Sequence, residues 1–186
     1  MRFLIVLLVT LVAWSSAHAN IGEVSEIQGN GQIKRTDGEK FDLETSLGVF
    51  SYDEVMVGQG RTAIDFIDDT RVEITEHSKL VIDEFVYDPA NNQGSLTMTA
   101  ALGTVRYASG QIAKEFRENV TIKTPTATIG VRGTDFAMIV DELGGSTIIL
   151  LPSCNTNGDC IVGEISVDSD VGQVILNEAF QATRVD

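Results

Sequence analysis

The sequence predicts an all-β domain, and two observations carry that prediction. Short β-branched runs recur at roughly 10-residue spacing, separated by turn residues. Several of these runs alternate apolar and polar residues with period two, the pattern of a strand with one buried face. Arg71 to Thr75 puts Val72 and Ile74 on one face, and Ser95 to Ala100 puts Leu96, Met98 and Ala100 together.

Taken in order, Val24 to Ile27 runs into Gly29-Asn30-Gly31, and Ile33 to Thr36 into Asp37-Gly38, a good tight-turn dipeptide. Val55 to Val57 is followed by Gly58-Gln59-Gly60, and Ala63 to Ile67 by Asp68-Asp69. Leu80 to Tyr87 is ended by Asp88-Pro89. Val105 to Tyr107, Val120 to Lys123, Phe136 to Val140, Thr147 to Leu151, Ile161 to Val167 and Val174 to Leu176 complete the series. One stretch has helical spacing: Gln111 to Glu118, where Ile112 and Phe116 stand four apart. It is long enough for a turn or two.

The first nineteen residues have the form of a secretory signal. Arg2 supplies the charged start, Phe3 to Trp14 the apolar stretch, and Ala17-His18-Ala19 the small-x-small cleavage pattern. The apolar stretch falls short of the roughly 20 residues that span a bilayer. Cleavage after Ala19 leaves residues 20–186 as a single domain, with no membrane span predicted after the signal. The expected location is the periplasm or the cell exterior.

The chain carries 13 Lys and Arg against 27 Asp and Glu, a net charge of −14. Losing Arg2 with the signal takes the mature chain to −15. Such a field repels polyanions, which excludes nucleic acid as an expected direct partner. Cys154 and Cys160, the only two cysteines, enclose Asn155-Thr156-Asn157-Gly158-Asp159, turn chemistry throughout. An oxidising compartment and an even count predict a disulfide between them. The loop's polar residues, two apart, faintly resemble a calcium loop but lack its further carboxylates, so no cofactor or metal is expected.

The most specific segment is Thr124-Pro125-Thr126-Ala127-Thr128-Ile129-Gly130-Val131-Arg132-Gly133-Thr134-Asp135-Phe136. It resembles the signature of the FecR domain family, in which a Thr-Pro-x-Ala turn leads into Gly-Val-Arg-Gly-Thr-x-Phe. The motif positions are Thr124, Pro125, Ala127, Gly130, Val131, Arg132, Gly133, Thr134 and Phe136. Asp68-Asp69-Thr70 is similar to the family's Asp-Gly-Ser turn, and Leu96 to Val105 to its Leu-x-x-Gly-x-Val element, so the likeness runs over residues 21–140. Tyr52 and Asp69 stand where the family often has glycine, which suggests a loop variation and a different turn. The resemblance implies an extracytoplasmic all-β module that engages another protein or a ligand. It implies a β-helix-like (solenoid) or roll arrangement, with a β-sandwich as the alternative. The sensor-regulators that name the family carry a cytoplasmic anti-sigma segment and a membrane helix, and here a cleavable signal takes their place.

Pro125 fixes its own φ and disfavours helix at Thr124. Gly130 and Gly133 permit backbone geometry closed to other residues. Val131 and Phe136 are candidate core residues. Arg132 is expected to be partly buried and paired to a carboxylate or to carbonyls; the alternative is an exposed contact for a partner.

Catalytic chemistry is not apparent in the sequence. His77 is the only histidine after Ala19 and sits in a predicted turn, and no Gly-x-Ser-x-Gly occurs. The pairs Asp68/Asp69, Asp83/Glu84 and Asp141/Glu142 read as solvated turn or edge pairs, since neighbours on a strand face opposite ways. The expectation is therefore a non-enzymatic binding and regulatory module with an envelope protein or a small ligand as partner. A structural or surface-assembly component is the alternative.

Overall fold

A computed structural model describes residues 20–155 and 157–186. The predicted signal and its cleavage site lie outside the described residues. The described residues are all-β, with one short α-helix and a single 3-10 turn at Pro89–Asn91. The strands are β1 (Gly22–Lys34), β2 (Lys40–Asp42), β3 (Gly48–Val49), β4 (Glu54–Phe66), β5 (Arg71–Thr75), β6 (Ser78–Asp88) and β7 (Gln93–Ala108). After helix α1 (Gln111–Glu115) come β8 (Val120–Lys123), β9 (Thr128–Arg132), β10 (Asp135–Val140) and β11 (Ser146–Leu151). The chain ends with β12 (Ser153–Cys154), β13 (Cys160–Ile161), β14 (Glu164–Ser169), β15 (Gly172–Leu176) and β16 (Ala182–Val185).

The central strands are longer than their sequence punctuation suggests. Gly58-Gln59-Gly60 does not end a strand: β4 runs through it and stays paired with β1, Gly29 lying directly opposite Gly60. Likewise β7 runs unbroken through Gly103. β5 and β6 lie end to end against the same two neighbours, β4 and β7, separated by Glu76 and His77. At the midpoint of each of these four strand paths the backbone enters the left-handed region: Gly29 (φ 95°), Gly60 (91°), His77 (55°) and Gly103 (87°). These residues are cross-strand neighbours. The His77 amide donates to Gly58 O, and the Ser78 hydroxyl accepts the Thr104 amide at 2.9 Å beside Gly103. Together they form a crease across the sheet, where local bends of like kind add up.

The crease folds one sheet into two facing layers. One contains the first half of β1, the second half of β4, then β5, the second half of β7, β10, β11 and β16. The other contains β2, the second half of β1, the first half of β4, β6, the first half of β7, β8, β9, β14 and β15. Phe66 of the first layer stacks on Phe85 of the second, ring centroids 5.4 Å apart. Alternation supplies the core: Leu96, Met98 and Ala100, then Val105 and Tyr107, point inward along β7, as do Ile148 and Leu150 along β11. Among the described residues every ladder is antiparallel except β7 with β8. The parallel coil-on-coil stacking of a β-helix is therefore not what these ladders show; the described strands form a folded sheet.

The two positions where the family often has glycine adopt a backbone that glycine takes without strain. Tyr52 has φ 70° and Asp69 φ 65°. The variant loop and altered turn read from the sequence thus each hold a left-handed residue, and a side chain carries the strain. A left-handed L-residue costs roughly 1–2 kcal/mol, partly offset by the entropy glycine loses on folding. Tyr52→Gly and Asp69→Gly should each raise stability by up to about 1 kcal/mol. Urea denaturation measures this, and a lower midpoint for either variant would refute it.

Candidate functional site

The FecR-like segment is built from three consecutive pieces. First, Thr124 to Ala127 closes a tight turn between β8 and β9. The Thr124 amide donates to Ala127 O at 2.8 Å, and the Ala127 amide donates back to the Thr124 hydroxyl at 3.0 Å. Pro125 sits exposed at its tip. The Thr126 and Thr124 hydroxyls each lie 2.8 Å from the Ser146 hydroxyl, which is fully buried and ties the turn to the start of β11. At the adjoining turn, Asp141 accepts from the Arg184 guanidinium and from the Leu143 and Gly145 amides, which hold its carboxyl below the usual range.

Second, β9 buries Ile129 and Val131 and turns Arg132 outward. Arg132 is 46% exposed, not partly buried as its sequence context suggests. The pairing half of that expectation stands: its guanidinium donates to Glu164 at 2.5 Å, directly across the β9–β14 ladder. Flanking Val131 and Gly133 do not enclose it, because period-two geometry sends Val131 inward and its neighbour outward. An exposed ion pair is worth roughly 0–1 kcal/mol. Arg132→Ala should therefore lower the melting temperature by no more than about 4 °C in a domain of this size. A larger drop in a thermal melt would restore a packing role.

Third, Gly133 turns the chain from β9 into β10 at φ 69°. Its neighbour across the gap is Gly163, where a Cβ would lie 2.7 Å from Arg132 O and 2.9 Å from Gly133 O. Thr134 is fully buried and donates to Leu151 O, and Phe136 packs against Tyr107 at 5.4 Å. Tyr107 is itself fully buried, its hydroxyl lacks a partner among the described residues, and burial pushes its pKa up.

Around this segment lie two kinds of surface. At the β9–β10 end, Lys114, Arg117 and Arg132 line a cleft of about 260 Å³ with Gly133, Ile161 and Val162. At the Thr124–Thr128 end a groove of about 410 Å³ carries Asp168, Asp170 and Asp186 on its rim. Cys154 and Cys160 form a disulfide that closes the small β12–β13 hairpin. Inside that loop the Asn155 carboxamide oxygen accepts the Asn157 and Asp159 amides at 2.9 and 3.0 Å.

One site residue was passed over in the sequence. Asp68 is fully buried, so the reading of Asp68/Asp69 as a solvated pair is corrected. It accepts the Thr70 amide and hydroxyl and, from 44 residues away, the Ile112 amide. The other pairs are surface features: Asp83 accepts from Thr99 and Glu84 from Ser95. The signal for Asp68 was its place in the Asp-x-Thr turn beside a short helix, whose free N-terminal amides need an acceptor.

No curated protein matches this chain. Two crystal structures of a candidate anti-sigma factor from Parabacteroides distasonis ATCC 8503 are similar in fold. They are 14% and 13% identical, with TM-scores of 0.50 and 0.46. Each covers 72% of this chain, which spans 59% of that protein. The profile of the family described as FecR protein matches residues 53–151, from the buried Asp53 through the Asp68 turn and the Thr124–Phe136 segment to the end of β11. That match extends over more than half of the sequence, and the chain belongs to the FecR protein family.

Proposed function

We propose that this chain is an extracytoplasmic, non-enzymatic sensing and regulatory module that works by binding another protein of the cell envelope. The observation that carries the reading is the family match over residues 53–151. The likeness to an anti-sigma factor adds that this fold occurs in a protein described as a regulator. The construction of the motif is consistent with recognition. Thr124, Thr126, Thr134 and Phe136 are spent on hydrogen bonds and packing, while Pro125 and Arg132 face outward at the two ends of β9. Export rests on the signal-like first nineteen residues.

Two measurements test the proposal. Mass spectrometry of the protein from fractionated cells of its native host should find a periplasmic or secreted species beginning at Asn20. Transcript profiling after deletion of the coding sequence should show a defined set of promoters changing in activity. Recovery of the intact precursor in the cytosol, or an unaltered transcript profile under envelope stress and nutrient limitation alike, would remove the corresponding half.

A further inference from the structure

The folded sheet is closed along its crease and open at the far end. There each layer finishes in a strand with one unpaired edge: β15 bonds only to β14, and β16 only to β11. Such edges are ordinarily blunted by charge, proline or cover. β15 has none of these among the described residues. Val171 to Asn177 is a run of seven uncharged residues in a chain with 27 acids. Gly172 to Ile175 are exposed at every position, so the strand projects beyond the core on both faces. Val171 is 95% exposed, and Val174 and Ile175 present apolar surface on opposite sides. Between β15 and β16 runs a groove of about 220 Å³ with Val167, Val171, Val174 and Val185 in its lining.

The charge around this opening is predominantly negative. Asp168, Asp170 and Asp186 line the adjoining groove, and Glu178 lies in the turn between the two strands. The nearby cation, Arg184, is already engaged by Asp141 and Asp186. A second copy of the chain would bring the same acids against themselves, Asp170 at one end of the strand facing Glu178 at the other.

We propose that the open end takes up an extended segment of a partner protein, apolar in the middle and flanked by Lys or Arg, as an added strand on β15. Main-chain hydrogen bonds to the free edge supply affinity, the valine-lined groove takes alternate side chains, and the acidic rim selects basic flanks. This rests on the reading of the chain as a protein-binding module and names the chemistry of the partner.

The probes are two synthetic peptides, Lys-Lys-Val-Thr-Val-Thr-Val-Lys and its counterpart with Glu in place of Lys. Binding to the folded domain is followed by fluorescence anisotropy, and amide exchange is measured at saturation. The basic peptide should bind at least tenfold more tightly than the acidic one and slow exchange in Gly172–Leu176. Val174→Lys should weaken it at least tenfold, and Asp168→Asn/Asp170→Asn should flatten its salt dependence. All of these positions are at the surface, so circular dichroism should be unchanged. Absence of protection in β15, equal affinity for both peptides, or unaltered binding to Val174→Lys overturns the proposal. So does a concentration-dependent dimer that protects the same strand, which assigns the edge to a second copy. None of these outcomes bears on the location or transcript tests above, so the two readings fail separately.

Discussion

Gly60→Ala is expected to be severely destabilising, with a loss of more than about 4 kcal/mol out of the roughly 5–15 kcal/mol by which folded domains are stable. Two costs combine. At φ 91° a side chain meets the left-handed penalty of roughly 1–2 kcal/mol. The larger cost is steric: a Cβ on Gly60 would lie 2.0 Å from Gln28 O, and one on Gly29 would lie 1.9 Å from Gln59 O. Both obstacles are backbone, so no rotamer change relieves them, and β1 and β4 must part at the crease. Because β4 belongs to both layers, the separation disrupts the packing of Phe66 on Phe85 as well. The control is Gly38→Ala. Gly38 has a similar φ, 90°, but nothing within 4 Å of its would-be Cβ. It should lose only the conformational part, about 1 kcal/mol. Soluble expression and urea midpoints of the two variants separate the contributions. Comparable losses in both would show that the crease is not sterically locked.

The crease also explains what the sequence concealed. Alternation at Arg71 to Thr75 and Ser95 to Ala100 exposed the strands and their inner faces directly, because period two is a local property. The glycines at 58–60 looked like a chain turn for the same local reason: the φ they permit is the φ of a turn. Whether a left-handed residue ends a strand or bends it depends on the hydrogen bonds of its neighbours, and Gly29 opposite Gly60 is a pairing across 31 residues that no window reveals. Arg132 shows the same limit. Its place in the motif was readable, but its exposure follows from which way β9 faces, and that is set by Ile129 and Val131 entering the core. Tyr52 and Asp69 show a further limit: each takes a left-handed backbone that its side chain does not announce in the sequence.

Asp68→Ala should cost about 3–5 kcal/mol and lower the melting temperature by roughly 10 °C. The carboxylate is fully buried and is compensated by three donors: the Thr70 amide at 3.1 Å, the Thr70 hydroxyl at 2.9 Å and the Ile112 amide at 3.1 Å. Alanine removes the acceptor and leaves the donors in the interior, each unsatisfied group costing roughly 1–3 kcal/mol. The Ile112 bond matters most for architecture. It holds the first turn of α1, which itself lacks a side-chain cap from Gly110, against the β4–β5 turn. Ile112 and Ala113 are buried through that contact, and it fixes the backbone that carries Lys114 and Arg117 to the cationic cleft. Asp68→Asn should lose less, because one carboxamide oxygen still accepts while the new N–H₂ faces a donor. Amide exchange gives the local readout: the Ile112 amide should be protected in the native chain and released first in Asp68→Ala. A melting temperature within about 2 °C of the parent, with Ile112 still protected, would show that the turn and α1 are held together without the Asp68 carboxylate, by packing and the Gln111 amide on Asp68 O.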